Sequence, residues 1–584
     1  MEKLLRSAFV NGLAALVMLA LAGLHFWQIA TYAVDLPFAD DFHLLKNVVW
    51  AEERGLSFGQ MLRDMAVQHN EHRIIFPRLY TWLDYKLEGR INWLTLTWLG
   101  DLTVLGFVAL FYRALRKIGS AEQRLPEQRL PLVFFLPVAL FLFQPQSYDS
   151  LTWTISILQQ YCVFFWLFLG AVLIARPSPA AFIGAMVVAV VAVFTHGNGI
   201  LGFAWGAVVL ALQRRWYPLI AWLAALAIVA FFFFGYGYTK GQNGDPAGSL
   251  SDPLRFLGGI FAFVGAFADA FKPGNLTWPI SLGLVVTGVL AFVNLKAIWV
   301  FLASVSSKSI WQRYLKTDRF FLMGCAAVLL ATALITSLFR SWSGIQGLVQ
   351  VRYIHMSAFA FILFYLTLLY VVPKRRRGWL LAGVLLFGGA FWMMAQFGAN
   401  APLAYRRNSQ WADAFNWRYN ESFVQHPAPF NVEIRPTYAA GIRRGICPLP
   451  QTPLSVAEPA LLGSVIRVDS TLRVGVATNT LVVPEPNAIR RFEQFDFTSE
   501  EGEGNQFVVL KSDRNTYLVG TWQGRNTWQN VLRTGRYYGR GFHGTALSGT
   551  LRPGTYRVGV LILANGQTTL RFSSQILPVS GVGL

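Results

Sequence analysis

The chain has 584 residues, 54% hydrophobic and 15% aromatic but only 14% charged, against about 25% charged in an ordinary soluble domain, which excludes a soluble single-domain enzyme. The formal net charge of +20 would suit nucleic acid, yet the basic residues sit beside apolar runs, where membrane orientation needs them, so no nucleic-acid partner is expected. Cys162, Cys325 and Cys447 supply no disulfide framework, and no CxxC or Cys/His spacing marks a structural metal.

The first apolar run, residues 8 to 32, is too long for a signal peptide and lacks a small-residue cleavage site, so it reads as a retained span with a cytoplasmic amino terminus. A large first outer loop follows, about residues 33–90. Of the 18 Asp and Glu in residues 1–399, nine fall between Asp35 and Glu88, which makes this loop more than a connector. Further spans are expected near residues 91–112, 131–143, 155–175, 181–195, 200–212, 218–235, 279–303, 320–339, 354–372 and 378–397, about eleven in all.

Orientation follows from the short loops. Arg113, Arg116, Lys117, Arg124 and Arg129 share one, Arg214 and Arg215 another, Lys308, Arg313, Lys316 and Arg319 a third, and Lys374 to Arg377 a fourth. These belong on the cytoplasmic side, and the intervening loops "QPQSYDS" from Gln144 and "HGNG" from His196, with no Lys or Arg, face outward. Counting residues 254–271 as a full span would turn the Arg313 loop outward, so this run is expected as a re-entrant or interfacial helix.

Residues 1–398 thus form a polytopic α-helical membrane domain, and residues 399–584 a second domain on the outer side. The stretch Tyr405 to Val424, with Trp411, Phe415 and Trp417 among Arg406, Arg407 and Arg418, suggests a helix anchored at the interface. The remainder reads as strands. "TYRVGVLILANGQTTLRFSSQILPV" from Thr555 alternates about Asn565-Gly566, a favoured hairpin turn, and "NQFVVLKSDRNTYLVG" from Asn505 repeats the pattern. An all-β, sandwich-like domain is expected.

The sharpest motif is "DLPFADDFHLL" from Asp35, which sets Asp40 and Asp41 just beyond the first span. Adjacent side chains point in different directions, so one carboxylate is expected to face a cavity while its neighbour orients it or binds a cation. The alternative is a solvated loop or a helix cap.

A first span followed at once by an Asp-Asp pair in a large outer loop, with many further spans and an extracytoplasmic carboxy-terminal domain, resembles the GT-C glycosyltransferases. The likeness extends loosely over most of the chain, and its motif content is small. It implies inverting transfer of a sugar from a polyprenyl-phosphate donor, with a first-loop Asp as base toward the acceptor hydroxyl. By position Asp41 or Asp40 inherits that role, Asp41 slightly preferred. It further implies the outer face of a bacterial cytoplasmic (inner) membrane, membrane lipids as partners, and a glycan, lipid-linked saccharide or protein as acceptor.

Such a donor needs cationic help for its leaving phosphate, which Arg supplies with two parallel hydrogen bonds. "FRSWSGIQGLVQVRYIHMS" carries Arg340, Arg352, Tyr353 and His355 in an outer loop otherwise free of charge. The Arg352-Tyr353 pair entering a span resembles a feature of bacterial GT-C relatives and makes Arg352 the first choice for the phosphate, with snorkelling the competing reading, especially for Arg340. "QHNEHRIIFPRLY" from Gln68 gathers His69, Glu71, His72, Arg73 and Arg78. Their spacing does not match HExxH zinc chemistry, and Glu71, His72 and Arg73 suit donor phosphate or acceptor sugar. Any metal is expected at Asp40 and Asp41, as a hard divalent cation such as Mg2+, Mn2+ or Ca2+.

His196 and Asn198 lie in a Gly-rich turn at the outer end of a span, and Tyr148, Asp149 and Trp153 supply ring and polar surface suited to sugars. Asp101, inside the second span, is a functional candidate by depth alone. "GRGFHG" from Gly539 matches GxGxxG, but the Gly- and Pro-bearing sequence after it cannot open the required helix, so a loop between strands is expected. Trp522, Trp528, Tyr537 and Tyr538 read either as β-domain core or as a surface that positions an acceptor. Two rival functions stand: a transporter or flippase for lipid-linked saccharides, which calls for a polar route and commonly inverted repeats, and a non-catalytic cell-envelope assembly subunit.

Overall fold

The computed structural model describes residues 2–580 except 121–129, 240–243, 304–318, 465, 486–487, 501–503 and 565. Arg124, Arg129, Lys308, Arg313 and Lys316, which carry part of the expected orientation, lie outside the described residues, as does Asn565. Two compact units form: the first is Met1–Thr31, Leu56–Tyr80 and Leu96–Gly398, the second Tyr32–Gly55, Thr81–Thr95 and Ala399–Leu584.

The first unit is helical. Among the described residues eight helices are long and apolar enough to cross a membrane: Ala8–Tyr32, Trp93–Ile118, Thr154–Ile174, Trp216–Gly235, Thr277–Trp299, Arg319–Ser343, Val351–Val371 and Lys374–Asn420. The remaining expected spans correspond to the shorter apolar helices Leu132–Leu142, Pro179–Val193 and Gly197–Leu212. At about 1.5 Å per residue these fall short of a hydrocarbon layer roughly 30 Å thick, so length supports fewer crossings than the apolar runs suggested. Pro253–Val264 is shorter than a span as well.

Burial ranks the helices. Val351–Val371 is 78% buried and Thr154–Ile174 67%, against 17% for Ala8–Tyr32 and for Trp216–Gly235, so the first pair is central and the second peripheral. Lipid gives apolar side chains no reason to leave it, so close packing has to hold such helices together. Phe107 lies 4.5 Å from Phe359, and Phe141 lies 4.3 Å from Phe361, ring centre to ring centre. Glycine permits the tightest approaches: a Cβ on Gly283 would strike the Phe261 carbonyl, and one on Gly100 would overlap the Ile157 side chain.

The second unit holds seven antiparallel strands in the order β1-β2-β5-β4-β3-β6-β7: β1 Gly475–Glu485, β2 Ala488–Ser499, β3 Asn505–Lys511, β4 Thr516–Trp522, β5 Phe542–Leu547, β6 Gly554–Ala564 and β7 Gln567–Val579. The β6–β7 hairpin closes at Ala564↔Gln567. The sandwich expected from sequence is instead one continuous sheet curled into a half-barrel. β4 pairs with β3 along Thr516–Gly520 and then with β5 through Thr521 and Trp522, so one strand joins the two would-be layers. Alternation divides β3 cleanly: Val508 and Leu510 enter the core inside the curl, while Phe507 and Val509 pack with Ala412, Phe415 and Leu461 on the other face.

Ala412 and Phe415 come from the helix Lys374–Asn420, which continues through Pro402. The aromatic stretch expected at a membrane interface therefore packs within its own unit: Phe415 and Trp417 are buried, and Trp417 stacks on Phe423. In the same unit the helix Asp41–Glu53 sets Phe42 edge-on to Phe423 and Tyr438. Gly539 to Gly544 runs into strand β5 and opens no α-helix, so the dinucleotide context of GxGxxG is not met.

Candidate functional site

In the first unit, residues nominated from distant stretches meet. His69 and His72 exchange backbone hydrogen bonds of 2.7 and 2.8 Å, closing a tight turn in which Asn70 takes a φ of 48°. That turn presents Glu71 and His72. The His72 ring lies 3.9 Å from the His196 ring, its Nδ1 accepts from the Gly197 N–H at 3.3 Å, and Nδ1 of His196 accepts from the Asn198 N–H at 3.1 Å. Glu71 Oε1 stands 3.9 Å from the Arg340 guanidinium. Burial first, then neighbouring Arg340, pushes the His72 pKa down, although Glu71 opposes it. Burial also pushes His196 well below its ordinary range, and His72, His69 and His355 add to that. Two neutral imidazoles result, each with Nδ1 already accepting from the backbone and Nε2–H left to donate.

The late loop joins the same region. His355 Nδ1 lies 3.2 Å from the Ser150 hydroxyl, and the turn Asp149–Thr152 packs beside Val351–Tyr353. Tyr148 is half-buried at the head of that turn, and its carbonyl accepts from the Thr152 hydroxyl. Arg352 is half-buried with its guanidinium 5.1 Å from the Tyr353 ring, and Tyr353 in turn packs on Phe263. The Arg352 guanidinium has no hydrogen bond or ion pair among the described residues, and its Nε is shielded from solvent. Its donors are therefore uncommitted.

Arg73 behaves in the opposite way. It is fully buried, Nε donates to the Phe233 carbonyl at 2.7 Å, and the terminal nitrogens donate to the carbonyls of Ala66 and Tyr236. It clamps backbone and is not placed to hold a phosphate. Arg78 does the same for Met65 and Val67. The His355 ring lines a small void of about 10 Å³, room for about one water, together with His25, Gln144, Ser147, Ser150 and Tyr161. His25 was not nominated from sequence. An ionisable ring inside the first apolar run was the available signal. Asp101 is buried, and among the described residues its Oδ2 has no hydrogen-bond partner.

Asp40 and Asp41 belong to the second unit. Asp41 is 1% exposed, opens the helix Asp41–Glu53, and accepts the Phe38 N–H at 3.0 Å. Asp40 remains half-exposed, directly after Ala39, whose φ of 47° is strained for a residue with a Cβ. The two carboxylates thus differ as neighbours should: one holds the turn and the other stays accessible. Nearby, Asp35 takes the Trp93 N–H at 2.7 Å and Arg90 at 3.0 Å. Asp84 takes the Asn92 N–H at 2.7 Å, and burial raises its pKa to about 6. Among the described residues no three His, Cys, Asp or Glu side chains are grouped to hold a metal ion.

Comparison with known proteins gives no match: no family model, no curated protein and no solved structure is similar to this chain.

Proposed function

We propose that the protein is an integral-membrane glycosyltransferase of GT-C type, using a polyprenyl-phosphate sugar and transferring with inversion to a saccharide or protein acceptor. The observation that carries the reading is Arg352: a half-buried guanidinium with uncommitted donors, three residues before Ser150-bound His355, whose ring acts in turn on His196. A guanidinium held out of bulk water suits a phosphate whose charge grows as the sugar departs. The neutral imidazoles of His72 and His196 can donate to sugar or phosphate oxygens without adding fixed charge of their own. Arg340, steadied by Glu71, is the secondary cation.

The acceptor side needs a base. Asp40 fits better than Asp41, because Asp40 is accessible and Asp41 is buried against the Phe38 amide. In this mechanism Asp40 takes the acceptor hydroxyl proton, the acceptor oxygen bonds the anomeric carbon, and the carbon–phosphate oxygen bond breaks with its electron pair on the phosphate. Outward orientation in a bacterial cytoplasmic membrane belongs to the same proposal.

The test is release of polyprenyl phosphate from a panel of labelled polyprenyl-phosphate sugars by membranes carrying each variant. Asp40→Asn should abolish acceptor-dependent release. Asp41→Asn, which can still accept from the Phe38 amide, should retain measurable turnover. Equal, undiminished release by both would remove the proposed base.

A further inference from the structure

The second unit contains an open cavity of about 450 Å³ that the transfer reading does not use. Its lining is chemically consistent. Tyr32, Tyr405 and Tyr538 supply rings, Asn408, Asn505, Gln506 and Gln523 supply amides, and Thr521 supplies a hydroxyl. Among the described residues no carboxylate lines it, and Arg407 is its single cation. That guanidinium is already placed over the Tyr32 and Trp411 rings and donates to Asn505 Oδ1 at 3.0 Å.

The amides are built in, as their burial shows. Gln506 is 1% exposed and Asn408 4%. Among the described residues neither side-chain polar atom of Gln506 has a hydrogen-bond partner, nor has Oδ1 of Asn408. Such orphaned groups cost stability, and in native proteins they call for a particular explanation. Nothing in the strand demands Gln506, since Val508 and Leu510 on the same face are apolar core. Neighbouring groups hold the frame: Thr521 Oγ1 donates to the Gln506 carbonyl at 2.8 Å, and Gln523 Nε2 donates to the Gly539 carbonyl at 2.9 Å.

Trp522 extends the surface, 38% exposed and 5.6 Å from the Tyr405 ring. The tryptophans of this stretch are not β-domain core, for Trp528 is 37% exposed too. Rings to cover sugar faces, amides that both donate and accept, and little net charge are the recognition chemistry of a polyhydroxylated ligand. The volume lies well within the range of small-molecule pockets, about 300 to 1000 Å³.

We propose that this cavity is an oligosaccharide-binding site, separate from the residues assigned to sugar transfer, with Gln506 and Asn408 completing their hydrogen bonds on ligand hydroxyls. The experiment uses the full-length chain purified in detergent on an array of immobilised neutral and uronic-acid-bearing oligosaccharides, with no polyprenyl donor present. Binding is therefore read independently of transfer and stands even if transfer fails. Wild type should be retained by a subset of the array. Gln506→Met should melt at the same or a higher temperature, because it removes unsatisfied buried polar atoms, yet bind those oligosaccharides roughly tenfold more weakly. Asn408→Ala should weaken binding in the same direction. Absence of retention by any oligosaccharide, or equal retention of wild type and both variants, would overturn the assignment.

Discussion

The polar regions of the two units solve different problems. In the first unit, charge is concentrated and unevenly committed: Arg73 is consumed by three backbone carbonyls, while Arg352 keeps its donors. In the second, the cavity holds one cation already seated on aromatic rings, and its spare capacity is in neutral amides. The difference teaches how to separate binding chemistry from scaffolding: by which hydrogen bonds are left unmade, not by residue type. An arginine whose three nitrogens all hold backbone carbonyls, as in Arg73, is structure, and a buried amide with neither atom paired, as in Gln506, calls for a partner.

Substitution of the two arginines breaks the comparison most sharply. Arg352→Gln should lower kcat/KM for sugar transfer by about 100- to 1000-fold, the usual loss when a donor aimed at developing charge is removed, with little change in thermal stability. Arg352→Lys should recover part of that loss, since it keeps the charge and loses the fork. Arg73→Ala should do the reverse, destabilising the detergent-purified protein on the order of 3 kcal/mol through carbonyls left unpaired in the interior. Thermal unfolding and turnover measured on the same samples distinguish the two.

Titration sharpens the comparison with smaller effects. His72 and His196 are held neutral by burial, so between their lowered folded values and the unfolded value near about 6.5 the unfolded chain binds more protons. Their contribution is fully present above that value and is lost as pH falls below it. His72→Gln should flatten the acid side of the stability profile. Asp84 has the opposite sign. Its folded carboxyl, raised to about 6 by burial, holds its proton longer than the unfolded one, so its effect turns destabilising as pH rises toward and through about 6. Asp84→Asn should therefore raise the melting temperature modestly at pH 7 and leave it unchanged near pH 4.

Much of this was legible in the chain because local patterns dictated it. Apolar length marked the long helices, and alternation with Asn565-Gly566 marked the β6–β7 hairpin. His72, Glu71, His196 and Arg340 stood out as polar groups at the ends of apolar runs, where a membrane protein has few reasons to keep them. Other features depended on tertiary structure. Residues 32–55 and 81–95 join the second unit through contacts such as Phe42 on Tyr438, which no local periodicity encodes. Hydropathy drops near residue 398 while the helix runs on to Asn420, because its later face is matched to the sheet and not to lipid. Arg73 and Arg352 look equivalent in sequence, and only their partners tell them apart. Gln506 passed as an ordinary polar residue in a strand until its burial was known.

The proposed reaction is sugar transfer from a polyprenyl-phosphate donor with Arg352 on the phosphate. Its most direct test reconstitutes the full chain in proteoliposomes and follows the anomeric configuration of the transferred sugar for wild type and Arg352→Gln. We expect wild type to form product of inverted configuration and the variant to form it about 100-fold or more slowly. Transfer with retained configuration, or an unchanged rate in Arg352→Gln, would contradict it.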